Sequence, residues 1–106
     1  MILRRWIDSR TPTPPPALAQ RMRPALDAVA TAGAARLDEG ALDAALILVD
    51  SILSDGDGSR TGAITLLAAD ALVTYAFEAA AEQPDRLEAL AAEAMTRIAA
   101  AAEDAR

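Results

Sequence analysis

The chain has 106 residues, of which 53% are apolar and 25% are charged, and its formal net charge at pH 7 is −6. A chain of this length is expected to form one domain. It contains no cysteine, histidine or lysine, which excludes disulfides, zinc sites built from cysteine and histidine, histidine general bases and lysine Schiff bases. Any metal ion would have to be a hard cation bound by carboxylates, and composition alone does not identify a function.

The charge is unevenly distributed along the chain. Residues 1–36 carry six arginines against Asp8 and Asp27, a net +4, whereas residues 37–106 carry four arginines against fourteen acidic residues, a net −10. An acidic body argues against nucleic acid as the main partner, because phosphate binding needs clustered cations. The basic segment has two interpretations, a solvated lead-in or a contact with anionic lipid or an acidic partner.

The sequence carries no pattern typical of secretion or of a membrane span. Residues 1–7 lack the apolar segment that follows the positive start of a signal peptide. The most apolar stretch, residues 63–81, is interrupted by Asp70, Thr74 and Glu78, each of which is costly at bilayer depth. Because the absence of cysteine also fits a reducing compartment, we expect a cytoplasmic protein without a membrane span.

Four prolines between positions 12 and 16 predict an extended spacer, because proline fixes φ and removes a backbone donor. The expected organisation is therefore an N-terminal arm and spacer over residues 1–16 and a helical domain over residues 17–106. A first helix should run from Ala17 towards Ala30, with Pro24 kinking or splitting it. Gly33 suits the left-handed residue that follows a helix end.

The next helix is predicted over about residues 39–54, with Asp38 as its N-cap. Its apolar residues form a stripe too broad for a single seam, which indicates a central helix. Glycines within residues 55–58 end it. Ser59 or Thr61 can then cap a helix over residues 62–82, and Pro84 can begin a last helix that reaches about residue 104.

This last helix has one narrow apolar face, made of Leu87, Leu90, Ala94, Ile98 and Ala101. Glu93 and Arg97 form a favourable i,i+4 pair on it. No strand pattern competes anywhere in the sequence. The predicted fold class is therefore all-α, a small bundle of three main helices with a proline-kinked N-terminal helix and arm.

The helix over residues 62–82 has two apolar surfaces, separated on one side by a polar stripe at Asp70, Thr74, Glu78 and Glu82. One surface holds Ile64, Ala68, Leu72, Tyr75 and Ala79, and the other holds Leu66, Ala69, Val73, Phe77 and Ala80. Two surfaces indicate either the middle of a bundle or a helix shared with a partner. We predict that the first surface is core and that the second meets a partner through Leu66, Val73, Phe77 and Asp70, with Phe77 as the anchor.

The loop Asp55-Gly56-Asp57-Gly58 resembles a calcium-binding loop, but its register fails. With Gly58 at the sixth loop position, Leu53 falls at the first and Ile64 at the twelfth, so the first ligand and the bidentate glutamate are both missing. We interpret the loop as an interhelical turn. No pair of carboxylates is spaced for acid and base catalysis, so the sequence predicts no catalytic residue, no cofactor site and no metal site.

Residues 66–78, LLAADALVTYAFE, resemble a helix of the trans-polyprenyl diphosphate synthases. That resemblance implies an all-α fold. Catalytic members of the family carry two aspartate-rich DDxxD motifs, whose carboxylates bridge magnesium ions to the substrate diphosphate. This sequence contains neither motif, so the resemblance implies a chain that is not catalytic by itself.

The chain resembles the small, non-catalytic subunit of two-component synthases, heptaprenyl diphosphate synthase component I, better than it resembles the catalytic members. The similarity spans residues 41–100 and includes ALILVDS at 45–51, the helix at 64–78 and LEALAAEAMTRI at 87–98. It implies a catalytic synthase partner that holds the magnesium and makes the side chain of a quinone, and a structural or interfacial role for Asp70. The alternative is a homodimeric helical adaptor with no enzymatic link.

Overall fold

The computed structural model describes residues 2–33, 36–56 and 58–105, which form five helices and no strand. They are α1 (Ile2–Asp8), α2 (Pro16–Ala32), α3 (Leu37–Asp55), α4 (Arg60–Ala80) and α5 (Pro84–Asp104). The prediction of a small all-α bundle is confirmed.

Four of the predicted helix boundaries are also confirmed. Gly33 and Gly56 follow α2 and α3 with φ of 81° and 59°, the left-handed conformation that glycine adopts without steric cost. The hydroxyl of Ser59 accepts a hydrogen bond from the backbone N–H of Gly62 at 3.4 Å and so caps α4. Pro84 occupies the first turn of α5, where its missing N–H has no intrahelical partner to lose.

Asp38 is not the N-cap of α3, and that prediction is wrong. The helix begins at Leu37, with Arg36 at the N-cap position and no side chain capping it. Asp38 lies one residue inside the helix, where its Oδ1 accepts the backbone N–H of Glu39 at 2.9 Å. Two arginine side chains also donate to this carboxylate, and they account for its inward position.

The antiparallel pair α3 and α4 forms the centre of the fold, and α3 contacts every other helix, as its broad apolar stripe predicts. Alanine lines much of the buried surface of this pair, which allows the two backbones to approach closely. The largest fully buried side chains are Met22, Leu42, Leu72 and Leu90, one from each of α2 to α5. A core with so few aromatic residues therefore depends on close helix packing.

Pro24 lies inside α2 without dividing it, so the expected split does not occur. The next two residues, Ala25 and Leu26, are buried against the bundle. On the same helix, Nε of Arg21 donates to the hydroxyl of Thr65 on α4 at 3.1 Å. Packing on both sides of the proline holds α2 as one element although proline removes one hydrogen bond.

The N-terminal segment differs from the expected solvated arm, because residues 2–8 form α1 and pack on the bundle. Leu3 and Ile7 are buried. The ring of Trp6 meets that of Tyr75 edge to face, with centroids 6.1 Å apart. The guanidinium of Arg10 lies 4.7 Å from the centre of the Trp6 ring.

The spacer after α1 is shorter than predicted, because Pro16 already belongs to α2. No helix or strand forms over residues 11–15, and Pro15 has φ −54° and ψ 146°, the polyproline II conformation. Arg10 also pairs with Glu78 of α4 at 3.1 Å. The basic segment thus folds back and neutralises part of the acidic body.

Candidate protein-interaction surface

The four residues predicted to meet a partner form one stripe on α4, which we call the α4 stripe: Leu66, Asp70, Val73 and Phe77. Spacings of four, three and four place them on one side of the helix. Val73 and Phe77 are half-buried and pack against the core, whereas Asp70 is exposed and Leu66 is 58% exposed. The stripe is therefore covered near the C-terminus of α4 and open towards its N-terminus.

The core side of α4 draws on both predicted surfaces. Ala68 and Leu72 of the first surface are fully buried, as are Ala69 and Ala80 of the second. Tyr75 of the first surface is half-buried beneath α1. The division into one core face and one partner face is thus less sharp in the structure than the helical arithmetic suggests.

Burial along α5 decreases with distance from the turn that joins it to α4, as burial along the α4 stripe does. Leu90 and Ala94 in its first half are buried, whereas Met95 is 74% exposed and Ile98 is 39% exposed. Further along, an open groove of about 250 Å³ separates α5 from α3, between Leu46 and Ala101. The second half of α5 therefore stands further from the bundle than the first.

The N-terminal half of α4 and the C-terminal half of α5 both carry exposed apolar residues. A short turn at residues 81–83 joins these two contacting helices, so they run antiparallel. Leu66 and Ile98 are equally far along the chain from Glu82 in that turn. We call the exposed apolar residues Leu66, Met95 and Ile98 the open seam. Leu67 is also exposed, but it lies in line with Thr74 and Glu78 on the polar side of α4.

The arginines on α5 are engaged in ion pairs. Between residues 61 and 105 the only cations are Arg86 and Arg97, and both bind carboxylates on α3. Asp70 on α4 and Glu88 on α5 are exposed, and neither forms an ion pair with another described residue. Asp70, one turn from Leu66, is therefore the exposed carboxylate beside the seam, whereas Glu88 lies about 10 Å from Met95 by helical rise.

A buried carboxylate fixes the start of α5 against α3. Asp38 is 2% exposed, and its Oδ2 accepts hydrogen bonds from Nη2 and Nε of Arg86 at 2.8 and 3.0 Å. Its Oδ1 accepts from Nε of Arg36 at 3.1 Å, and Nη2 of Arg36 also donates to Oε1 of Gln83 at 3.2 Å. We call Arg36, Asp38, Gln83 and Arg86 the Asp38 clamp.

The clamp shifts the pKa values of its members. Burial acts to raise the pKa of Asp38, but hydrogen bonds from Arg86, the Glu39 N–H and Arg36, together with the charge of Arg86, outweigh it and hold that pKa below its ordinary value of 3.8. The hydrogen bond to Asp38 raises the pKa of Arg86. Asp38 therefore remains ionised at neutral pH.

The pKa of Tyr75, which lies beneath α1, is raised. Burial raises its pKa, and the charge of Glu78 adds to that effect while Arg10 opposes it. The hydroxyl therefore stays protonated at neutral pH.

Two features bear on metal binding and on membrane insertion. The described residues contain no cluster of three or more acidic side chains placed to hold a metal ion. Asp57, which belongs to the predicted interhelical turn, lies outside those residues. By length and composition α4 could cross a bilayer, but the same test is passed by core helices of other proteins.

Comparisons of the chain with protein-family models, with curated proteins and with solved structures find no match.

Sequence reasoning placed two members of the open seam on apolar helix faces, Leu66 on the partner surface and Ile98 on the α5 face. It did not single out Met95. Met95 lies three residues before Ile98, at a position that a narrow apolar face leaves polar in most helices. The sequence signal for this exposed position was an apolar residue, Met95, directly beside the narrow apolar face of α5.

Proposed function

We propose that this chain is a non-catalytic helical subunit that acts by packing the α4 stripe and the open seam against another protein. One observation carries the proposal, the exposure of Leu66 at the open end of the partly buried α4 stripe together with the exposed Met95 and Ile98 on α5. Apolar surface of this kind, rimmed by polar residues, is typical of a protein interface.

The partner that the sequence suggests is the catalytic subunit of a polyprenyl diphosphate synthase in quinone side-chain biosynthesis. Support comes from the resemblance over residues 41–100, which includes the whole α4 stripe. In such a complex the partner holds the magnesium and the diphosphate, and this chain stabilises the pocket in which the isoprenoid grows. Asp70 is then an interfacial residue rather than a metal ligand, because no second acidic motif accompanies it.

The proposed location is the cytoplasm, without a membrane span. Asp70 and Glu78 are costly in a bilayer, and α4 already buries Ala68 and Leu72 inside the protein. Glu78 in addition pairs with Arg10. These contacts suit a helix that faces protein on one side and water or a partner on the other.

Co-expression tests the proposal. The chain is produced together with the product of a neighbouring gene that carries two DDxxD motifs, and the two are purified through a tag on one of them. We expect co-purification and magnesium-dependent chain elongation by the complex, and no elongation by this chain alone. Elongation by the isolated chain, or its failure to bind such a synthase, contradicts the proposed partner.

Two variants separate the interface from general stability. Leu66→Asp places a charge in the open seam and should abolish co-purification while leaving the helical circular dichroism unchanged. Ile47→Asp is the matched control, because Ile47 is 40% exposed on α3 in a groove that faces α2 instead. Phe77→Asp is less informative, since Phe77 also packs against the core.

A further inference from the structure

Helix α1 lies across α2, α3 and α4 and covers apolar side chains of the bundle. The covered surface, which we call the α1 groove, is defined by Met22 and Leu26 of α2 and Tyr75 of α4. We propose that α1 is a displaceable occupant of this groove and that α1 of a second copy of the chain takes its place, so that two chains exchange these helices. The proposal concerns a surface other than the open seam and is independent of the proposed function.

The structure shows the chemistry of the occupant, because α1 itself fills the groove. Leu3 and Ile7, four residues apart, are 5% and 2% exposed and are its two aliphatic anchors. Trp6 adds the edge-to-face contact with Tyr75. Anchors at this spacing on an amphipathic helix are typical of a helix bound in an apolar groove. A second copy carries the same anchors in the same order, so its α1 makes the same contacts.

The contacts that hold α1 in place are few. With seven residues it is too short to be a stable helix alone, so it depends on packing against the bundle. Arg4 pairs with Asp27 at 3.7 Å. Arg10 pairs with Glu78 at 3.1 Å. The side chains of both pairs are 40% to 61% exposed, and exposed pairs contribute little. A cavity of about 90 Å³ beside Ile7 also leaves the contact between α1 and α2 incomplete.

The connection between α1 and α2 limits the geometry of the exchange. Residues 9–15 form neither helix nor strand, and most of them are exposed. Prolines favour an extended conformation here, which Pro15 adopts. Fully extended, a spacer of this length spans at most about 25 Å, close to the shortest dimension of the protein, 24 Å. The two copies must therefore touch, and we expect a closed dimer in which each chain gives one α1 and receives one.

Protein concentration decides whether a chain's own α1 or that of a second copy fills the groove. A short flexible linker holds a segment at an effective concentration in the millimolar range. We therefore expect monomers at about 0.1 mM and a large fraction of dimers at about 3 mM, as measured by small-angle X-ray scattering of the full chain.

Ile7→Asp and Ile2→Asp separate the exchange of α1 from any other self-association. The two variants make the same substitution on the same helix, but Ile7 is 2% exposed and Ile2 is 75% exposed. Ile7→Asp should stay monomeric at about 3 mM and keep the circular dichroism of the other four helices, whereas Ile2→Asp should dimerise as the wild type does. A wild type that stays monomeric at this concentration overturns the proposal. So does a dimer that Ile7→Asp leaves intact, because it forms through another face.

Cross-linking between surface positions identifies the exchanged helix without disturbing the core. The chain contains no cysteine, so single cysteines can be introduced selectively. Arg10 and Glu78 pair within one chain, and exchange places Arg10 of one copy beside Glu78 of the other. Arg10→Cys and Glu78→Cys chains, mixed at about 3 mM and treated with a short bis-maleimide, should form a covalent heterodimer.

A second mixture, of Arg10→Cys and Asp55→Cys chains, is the matched control. Asp55 ends α3, so it lies at the opposite end of the antiparallel pair α3 and α4 from Glu78, and this mixture should not cross-link. Equal yields of heterodimer in the two mixtures, or none in the first, overturn the proposal.

Discussion

Removing the carboxylate of Asp38 should cost far more stability than removing that of Asp43. Both residues lie on α3 and bind an arginine of α5, but the side chain of Asp38 is 3% exposed and that of Asp43 is 40% exposed. Asp38 accepts four hydrogen bonds, three from arginine side chains and one from the backbone of Glu39. The two sites therefore provide a comparison in which burial is the main difference.

The expected magnitude follows from that burial. Breaking a buried ion pair from one side costs about 3 to 5 kcal/mol, because the remaining charge is left without its partner. Arg36 and Arg86 are 43% and 27% exposed and can regain some water, so we expect Asp38→Ala to lower the free energy of unfolding by about 3 kcal/mol, at the lower end of that range. Asp43→Ala removes an exposed pair and should cost less than about 1 kcal/mol.

Urea unfolding followed by circular dichroism measures both values. The midpoint for Asp38→Ala should fall while the slope stays unchanged, since the surface exposed on unfolding is the same. A loss of about 3 kcal/mol is a large part of the roughly 5 to 15 kcal/mol that a domain possesses, so the variant should also melt at a clearly lower temperature. If the two variants lose the same free energy of unfolding, the Asp38 clamp is not the main polar contact that holds α5 against α3.

Three further predictions concern acid, the core and calcium. Because the pKa of Asp38 is lowered in the folded protein, its contribution to stability is complete above the ordinary value of 3.8 and is lost as the pH falls through the folded value, so wild type and Asp38→Asn should converge in stability in acid. Leu72→Ala empties a fully buried position and should lower the free energy of unfolding by about 3 kcal/mol. Leu67→Ala, at a 56% exposed position on the same helix, should change it by less than about 0.5 kcal/mol. Similar losses for the two variants in urea unfolding would contradict the assigned core. Millimolar calcium should leave the melting temperature unchanged, because a site filled at 100 times its dissociation constant would add about 2.7 kcal/mol, and a rise that magnesium does not reproduce would show a site at the loop after Asp55.

The features that could be predicted from the sequence are those that depend on neighbouring residues. The helix ends at Gly33 and Gly56, the cap at Ser59 and the start at Pro84 each follow from one residue's backbone preference or hydrogen-bonding group. The central position of α3 follows from its broad apolar stripe. None of these needs information about which distant segments meet.

The features that were missed depend on contacts between distant segments. Asp38 is a good capping residue locally, but Arg86, which lies 48 positions further along the chain, competes for its carboxylate. The first helix was not predicted because seven residues are too few to be helical alone, and its stability comes from Trp6 against Tyr75 and from the burial of Leu3 and Ile7.

The openness of the α4–α5 seam has a physical origin in where α5 is fastened. Its first half is held by Arg86 in the Asp38 clamp and by the buried Leu90. In its second half, Arg97 is 37% exposed and binds partly exposed acids. Exposed pairs contribute little, so the second half depends mainly on apolar burial, and much of that part of α5 is alanine. Alanine buries too little surface to draw the helix fully onto the bundle, which leaves Met95 and Ile98 uncovered. A partner helix that contacts these residues would supply the apolar burial that the second half of α5 does not obtain from its own chain.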